Sequence, residues 1–353
     1  MSSKKILVIL ISVLLLVSVS LMGCSSNTST APANNEQNQK QDVKTIRYAH
    51  FQPGSLDQPK QAAAVAFKAY VEENTNGSVK VEIFPASQLG DADTVLEGLQ
   101  MGSIQMGVVH DGPVSSLYEP MGVYNLPYLF NNQGEAWTVF DSEYTKKIAE
   151  AMRAETGIRM LALADNGIRH FTNSKREINT VKDMEGLIIR VQPSPLYERL
   201  VQGTGASPAS IPWTELPAAL QQGVVDGQEN GVTNILAASL YQSQKYISLG
   251  GHVYSYHAYL ISDEFFSTLT PDEQKVVQEG VDIAKWIHRG MTANQDMNAS
   301  QILSEKGMQV TILTPEAIEG FRQKTQPLVA EWMTEQIGAE WVDGLLELVD
   351  SLR

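Results

Sequence analysis

A single cysteine in 353 residues leaves no partner for an internal disulfide and no thiolate cluster for zinc. Cations are scarce as well. The 26 Lys+Arg stand against 40 Asp+Glu, a net charge of −14, and no cation excess is available to neutralise nucleic-acid phosphates. No GxSxG, HExxH, Walker loop or CxxC occurs, so the commoner nucleophilic, metalloprotease, phosphate-binding and redox signatures are missing. Gly203-Thr204-Gly205 opens a GxG, but Pro208 stands where the third glycine belongs and no acid-bearing strand follows, so it reads as a turn. The histidines at 50, 110, 170, 252, 257 and 288 show no metal spacing. The nearest pair, His252 and His257, falls on opposite faces of a strand. No cofactor and no metal are expected. Disorder is excluded by the 43% apolar content, and the length suggests two lobes.

The chain opens with an address. Lys4 and Lys5 precede an apolar run from Ile6 to Leu21, closed by Leu21-Met22-Gly23-Cys24. An apolar segment ending in Leu-x-Gly-Cys resembles a bacterial lipoprotein signal, in which cysteine is acylated and becomes the first residue. The lone cysteine of the chain occupies the position that requires it. Residues 1–23 therefore read as a signal peptide and Cys24 as a lipid anchor. Removing that segment takes two lysines and no acids, leaving −16. Residues 24–43 have no apolar face to offset the entropy of ordering and read as a flexible tether. The protein is expected outside the cytoplasmic membrane, lipid-anchored or facing the periplasm.

The body alternates strand and helix patterns, as an α/β architecture with largely parallel sheets does. Strands are expected at Thr45–Phe51, Val79–Phe84, Ile104–Val109, Met160–Leu163, Leu187–Val191 and Tyr256–Ser262. Pro59–Thr75 reads as a helix with Val65, Ala66, Ala69 and Tyr70 on one face, stopped by Asn76-Gly77. Residues 271–306 open on Thr270-Pro271-Asp272-Glu273. As one helix they would span roughly 50 Å at about 1.5 Å per residue and brace two lobes.

Six segments recur in order: FPASQLGD (84–91), EGLQMGSI (97–104), NLPYLF (125–130), MEGLIIRV (184–191), ELPAALQ (215–221) and VDGQEN (225–230). In this series the chain closely resembles the solute receptors of tripartite ATP-independent periplasmic (TRAP) transporters, of the DctP type, over about residues 44–345. The resemblance implies a two-lobe periplasmic-binding-protein-like fold with a long helix bracing both lobes. Lobe I would comprise 44–166 and 256–295, lobe II 167–255 and 296–353, with crossings near Asp165-Asn166, Tyr254–His257 and Gln295. It further implies a monomeric receptor, not an enzyme, that closes on a small organic acid and passes it to a membrane permease driven by an ion gradient. An ABC-type or sensory binding lipoprotein is the alternative, and an enzyme using the same cleft a more distant one.

Arg190 is the leading ligand contact. A permanent cation in the apolar strand Leu187–Val191 needs an anion, which is either an internal Asp or Glu or a bound acid. The resemblance makes it the carboxylate clamp, whose planar fork can hold both oxygens. It also assigns Arg169 to the cleft, Asn230 to a ligand-facing amide and Trp213 to an aromatic wall. His110 stands where sialic-acid receptors carry a glutamate, which points away from sialic acid and leaves C4-dicarboxylates and related acids open. His252, with His257 and Tyr259, lies on the return strand, where a histidine is either a buried, satisfied core residue or reaches the cleft to meet a hydroxyl or a second carboxylate.

Overall fold

The computed structural model describes residues 43–353; the signal segment, Cys24 and the tether up to residue 42 lie outside them. Among the described residues one sheet holds β1 (Lys44–Ala49), β2 (Val79–Phe84), β3 (Met106–His110), β4 (Ile158–Asn173), β5 (Ile188–Val191), β6 (Ser207–Ser210), β7 (Gly227–Gly231), β8 (Tyr246–Ser262) and β9 (Gln309–Ile312). Their order is β2-β1-β3-β8-β4-β7-β5-β6, with β9 on β8. The architecture is α/β, with the sets β2-β1-β3 and β7-β5-β6 carried at two ends by β4 and β8.

The pairing is more mixed than the sequence suggests. β1 with β2 and β3, β5 with β6 and β7, and β8 with β9 are parallel, but the central β3–β8, β8–β4 and β4–β7 ladders are antiparallel. β4 and β8 run for 16 and 17 residues, far beyond Met160–Leu163 and Tyr256–Ser262. The unforeseen halves carry Asp165, Asn166, Arg169 and His170 on β4 and His252 on β8, polar residues that match no strand pattern on their own. They are nonetheless buried, because each strand is flanked by another. Register shifts fall at Met160/Ala162, Asp165/Gly167 and Arg169/Phe171. The first two each leave one extra residue on β4, whereas the third leaves the longer excursion on β8, between Ser248 and Val253; such irregularities bend a strand and re-aim its side chains.

Helix α1 (Pro59–Asn74) is as expected in extent, yet it buries Ala63, Ala64, Phe67 and Val71, while Val65 is exposed. The stripe is rotated because Phe67, the largest apolar side chain available, packs against Tyr48 of β1 with ring centroids 5.6 Å apart. Asn76 and Gly77, both at positive φ, end that segment. Helix α2 (Pro271–Met297) starts on a capping box in which Thr270 accepts from the Glu273 N–H and Glu273 from the Thr270 N–H. It does not continue to 306. Asn298 leaves helical geometry and its side-chain amide donates to the Asn294 carbonyl at 2.7 Å, a local bond that competes with the helix, and α3 (Ala299–Glu305) follows. The helix is thus about 40 Å long at about 1.5 Å per residue. Its final turn reaches the middle of β4, where Asp296 accepts the Ile168 N–H at 3.1 Å.

Apolar side chains of β1, β2, β3, α1 and α2 form one core, including Ile46, Phe67, Val81, Val108 and Val277. A second holds Leu216, Ile235, Ile247 and Leu303 at the other end of the sheet. Between these ends the carboxyl-terminal tips of β1, β3 and β5 converge, the usual location of ligand sites in α/β folds.

Candidate functional site

Phe51 and Gln52 beyond β1, Lys60 on α1, His110 at the tip of β3, Asn166 and Arg169 on β4, Arg190 and Gln192 from β5, Trp213, Asn230, Asn234 and His257 line one small cavity. Arg190, Arg169, Asn230, Trp213 and His110 are thereby brought together from elements up to 120 residues apart. Trp213 sits in a short turn between β6 and the helix Leu216–Gln221, half-buried, as its flanking proline suggests.

The two arginines differ. Arg169 is buried and paired with a carboxylate that sequence reasoning missed: its Nη2 donates to Glu229 Oε1 at 2.7 Å and to the Glu229 carbonyl at 2.8 Å, and its Nε to Glu229 Oε2. The pair stabilises itself: Arg169 is raised above its ordinary value despite burial, and Glu229 lies below its own. Glu229 belongs to the DGQEN segment and faces β4 across the β7 ladder, with Phe171 opposite. Arg190 has no such partner. It is 1% exposed, its Nε donates to the Ile211 carbonyl at 2.8 Å, and its Nη2 has no hydrogen bond. No carboxylate comes within ion-pair distance of it among the described residues. Burial pulls it down to about 9, with Arg169 adding to that and Glu229 opposing it. Of the two partners the sequence left open for Arg190, the internal one is absent among the described residues.

A second cation went unnoticed. Lys60 is 2% exposed, and burial lowers its ammonium from 10.5 to about 7, with Asp111 opposing. Its Nζ makes no hydrogen bond among the described residues and lies 5.7 Å from the Phe51 ring centre. In the sequence Lys60 looks like an ordinary surface lysine in the first turn of a helix, so only its packing reveals it. Asp111 is the hub behind the cavity. Its carboxylate accepts from the Gly112 N–H, Gln192 Nε2, Asn125 Nδ2, Tyr197 Oη and Ser255 Oγ, all at 2.6–3.0 Å.

The amides form a chain. Asn234 Nδ2 donates to Asn166 Oδ1 at 2.6 Å and to Asn230 Oδ1 at 2.8 Å, while Asn166 Nδ2 donates to Ser255 Oγ and Asn230 Nδ2 to Gln228 Oε1. Asn166, the extra residue of the central bulge, thus joins the wall to β8. The return-strand residues separate. His257 lines the cavity. His252 lies behind it, stacked on Phe171 with centroids 4.1 Å apart and donating from Nε2 to Glu229 Oε2 at 3.2 Å. Tyr259 is in the core beside Tyr48, its hydroxyl against His288 Nδ1 at 3.1 Å. His110 and His257 are held well below the usual histidine value, first by burial and then by Lys60. The cavity therefore offers an unpaired guanidinium, an unpaired ammonium and neutral imidazoles, a field suited to an anion.

Comparison with known proteins gives a consistent picture. Residues 49–336 match the family DctP, bacterial extracellular solute-binding protein family 7. The C4-dicarboxylate-binding periplasmic protein DctP of Rhodobacter capsulatus is 31% identical over 307 residues, 84% of this chain and 88% of that protein. The y4mM protein of Sinorhizobium fredii is 32% identical over 271 residues, 77% of this chain, which spans only 49% of that relative's length. The crystal structure of the sugar acid binding protein DctPAm of Advenella mimigardefordensis, in complex with galactonate, superposes with a TM-score of 0.84. It is 31% identical and covers 88% of this chain and 100% of its own.

Proposed function

This chain belongs to bacterial extracellular solute-binding protein family 7, DctP, and from that premise we propose that it is the solute receptor of a TRAP transporter, binding a small organic acid at Arg190. The observation that carries the reading is a buried guanidinium on a residue that lines the cavity, with an unpartnered Nη2 and no carboxylate within ion-pair distance among the described residues. A buried cation without a partner is costly, and a bound carboxylate removes that cost. The relatives bear on the ligand class: one is a C4-dicarboxylate-binding protein and one structure holds galactonate, both acids.

Arg190 holds the carboxylate, Trp213 covers it, and Asn230 contributes the free capacity of its amide. Arg169 acts from within its Glu229 pair, orienting the wall, and His252 steadies Glu229 from behind. Closure joins a lobe of 44–166 and 256–295 to one of 167–255 and 296–353. The acid favours the closed state because it contacts both lobes, supplying the differential affinity that closure requires. The closed monomer then delivers the acid to a membrane permease driven by an ion gradient. Signal cleavage before Cys24 and acylation of its thiol tether the receptor outside the cytoplasmic membrane. Its role is carriage without chemistry on the acid.

A thermal-shift panel on refolded, ligand-free protein tests the reading, with acids beside neutral sugars and amino acids. An acid at a hundred times its Kd should stabilise by about 2.7 kcal/mol. Arg190→Ala should weaken that acid roughly 30-fold or more, since truncating one member of a buried charge pair costs about 2–5 kcal/mol. Equal responses from wild type and variant would exclude Arg190 from the site. Stabilisation by neutral solutes alone would exclude an acid receptor.

A further inference from the structure

Buried polar atoms without partners define what the cavity requires of its occupant. Arg190 Nη2 and Gln52 Nε2 can only donate, and both are unpartnered. Gln52 is held in that orientation because its Oε1 accepts the Lys60 N–H at 2.9 Å. The third orphan is His257 Nε2. The Nδ1 of His257 lies 3.2 Å from the Asp165 carbonyl, which can only accept, so the ring proton is on Nδ1 and Nε2 presents a lone pair. Resting on the acid-receptor reading above, we infer that the cavity selects a hydroxylated monocarboxylate, with Arg190 reading the carboxylate and His257 reading a hydroxyl.

A carboxylate oxygen has no proton to give the lone pair of His257, whereas a hydroxyl does. The ring does not become a donor near neutral pH, because burial and the charge of Lys60 hold it unprotonated. Formal charge points the same way. With Lys60 protonated, as a bound anion favours, Arg169, Arg190 and Lys60 on the wall face the carboxylates of Glu229 and Asp111 bonded to it, leaving one net positive charge. A monoanion neutralises that charge, while a dianion leaves a buried negative charge without a counter-ion. The donors of Gln52 and Lys60 then serve further hydroxyl oxygens of a polyhydroxy chain. His257 is thereby a specificity-determining residue that separates hydroxy acids from dicarboxylates.

The test is titration calorimetry on the full-length protein in detergent, freed of solute by denaturation and refolding. Two matched sets are compared: D-threonate, butyrate and succinate, and D-gluconate, hexanoate and adipate. In at least one set the hydroxy monoacid should bind at least tenfold more tightly than both companions. His257→Phe keeps an aromatic ring without an acceptor and should lose roughly 10- to 100-fold for the hydroxy acid while leaving the plain acid unchanged. His257→Gln, which restores a carbonyl acceptor, should recover part of the loss and serves if the phenylalanine variant does not fold. If in both sets the hydroxy acid fails to lead, the diacid or the plain acid matching or exceeding it, this inference is overturned while the acid receptor stands. An undiminished hydroxy-acid preference in His257→Phe overturns the role of His257. Binding of none of the six acids overturns the acid-receptor reading and this inference with it.

Discussion

Replacing Arg190 by methionine should stabilise the ligand-free protein while abolishing acid binding, the reverse of what changing a buried residue usually does. Burial lowers the Arg190 guanidinium from 12.5 to about 9. At about 1.36 kcal/mol per pH unit, holding the charged form inside the fold costs about 5 kcal/mol. The sign is set by protonation. At neutral pH the group is charged in both folded and unfolded chains, so the whole cost is present, and it fades only as pH rises from about 9 towards 12.5. Methionine removes the charge and roughly preserves the volume, but it leaves the Ile211 carbonyl without its donor, a loss of about 1–3 kcal/mol. The net expectation is a gain of about 2–4 kcal/mol. With about 2.1 cal/mol/K of unfolding entropy per residue, the melting temperature should rise by about 3–6 °C. Scanning calorimetry on refolded protein, with and without the acid found for the wild type, reads both effects. A ligand-free variant melting at or below the wild type would mean that the guanidinium holds the fold together, and the unpaired-cation account would be wrong. A ligand-induced rise of the wild-type size in the variant would place the acid elsewhere.

Binding should weaken as pH rises above 7, first as Lys60 titrates from its lowered value of about 7 and, above about 9, as Arg190 follows. Of the other groups facing Lys60, His110 and His257 stay neutral in that range, and the Asp111 carboxylate is already saturated with donors. A bound anion raises Lys60, so calorimetry in buffers of different ionisation enthalpy should detect proton uptake near pH 8, and Lys60→Met should remove the lower step; its persistence would assign it elsewhere. Glu229→Gln leaves Arg169 as a buried cation without a carboxylate and should cost about 3–5 kcal/mol in urea unfolding; a loss below about 1 kcal/mol would mean that Arg169 finds another anion. Gly231→Ala places a Cβ 2.5 Å from the Asn166 carbonyl, where β7 meets the central bulge. It should destabilise by about 1–3 kcal/mol and weaken acid binding, whereas wild-type melting would show that the bulge yields freely.

Several parts of this protein are legible in the chain itself. Arg190 stands out because a cation among Leu187, Ile188, Ile189 and Val191 breaks a buried-strand pattern, and proline ends the run at once. The capping box before α2 and the stop after α1 are local hydrogen-bonding and backbone preferences, satisfied by neighbouring residues whatever the tertiary context. The ordered segments carried the family, and with it the α/β two-lobe architecture. Trp213 was legible for the same local reason, lying between a proline and a helix start.

The rest depended on which distant segments meet. The long middles of β4 and β8 were invisible because Asp165, Asn166 and Arg169 fit no apolar alternation; they are strand only because each ladder buries the other. The face of α1 rotated because Phe67 found Tyr48, an encounter that helical periodicity cannot specify. Whether an arginine is free or spent is likewise a matter of partners. Arg169 and Arg190 look alike in sequence, yet Glu229, sixty residues from Arg169, neutralises one and leaves the other open. His252 and His257 divide between the back of the wall and the cavity by strand alternation and bulges, and Lys60 becomes a low-pKa cation only through burial. Chain order records residue type and local propensity. Charge, protonation and access to a ligand are set by distances between side chains in three dimensions, and those exist only once the sheet has closed.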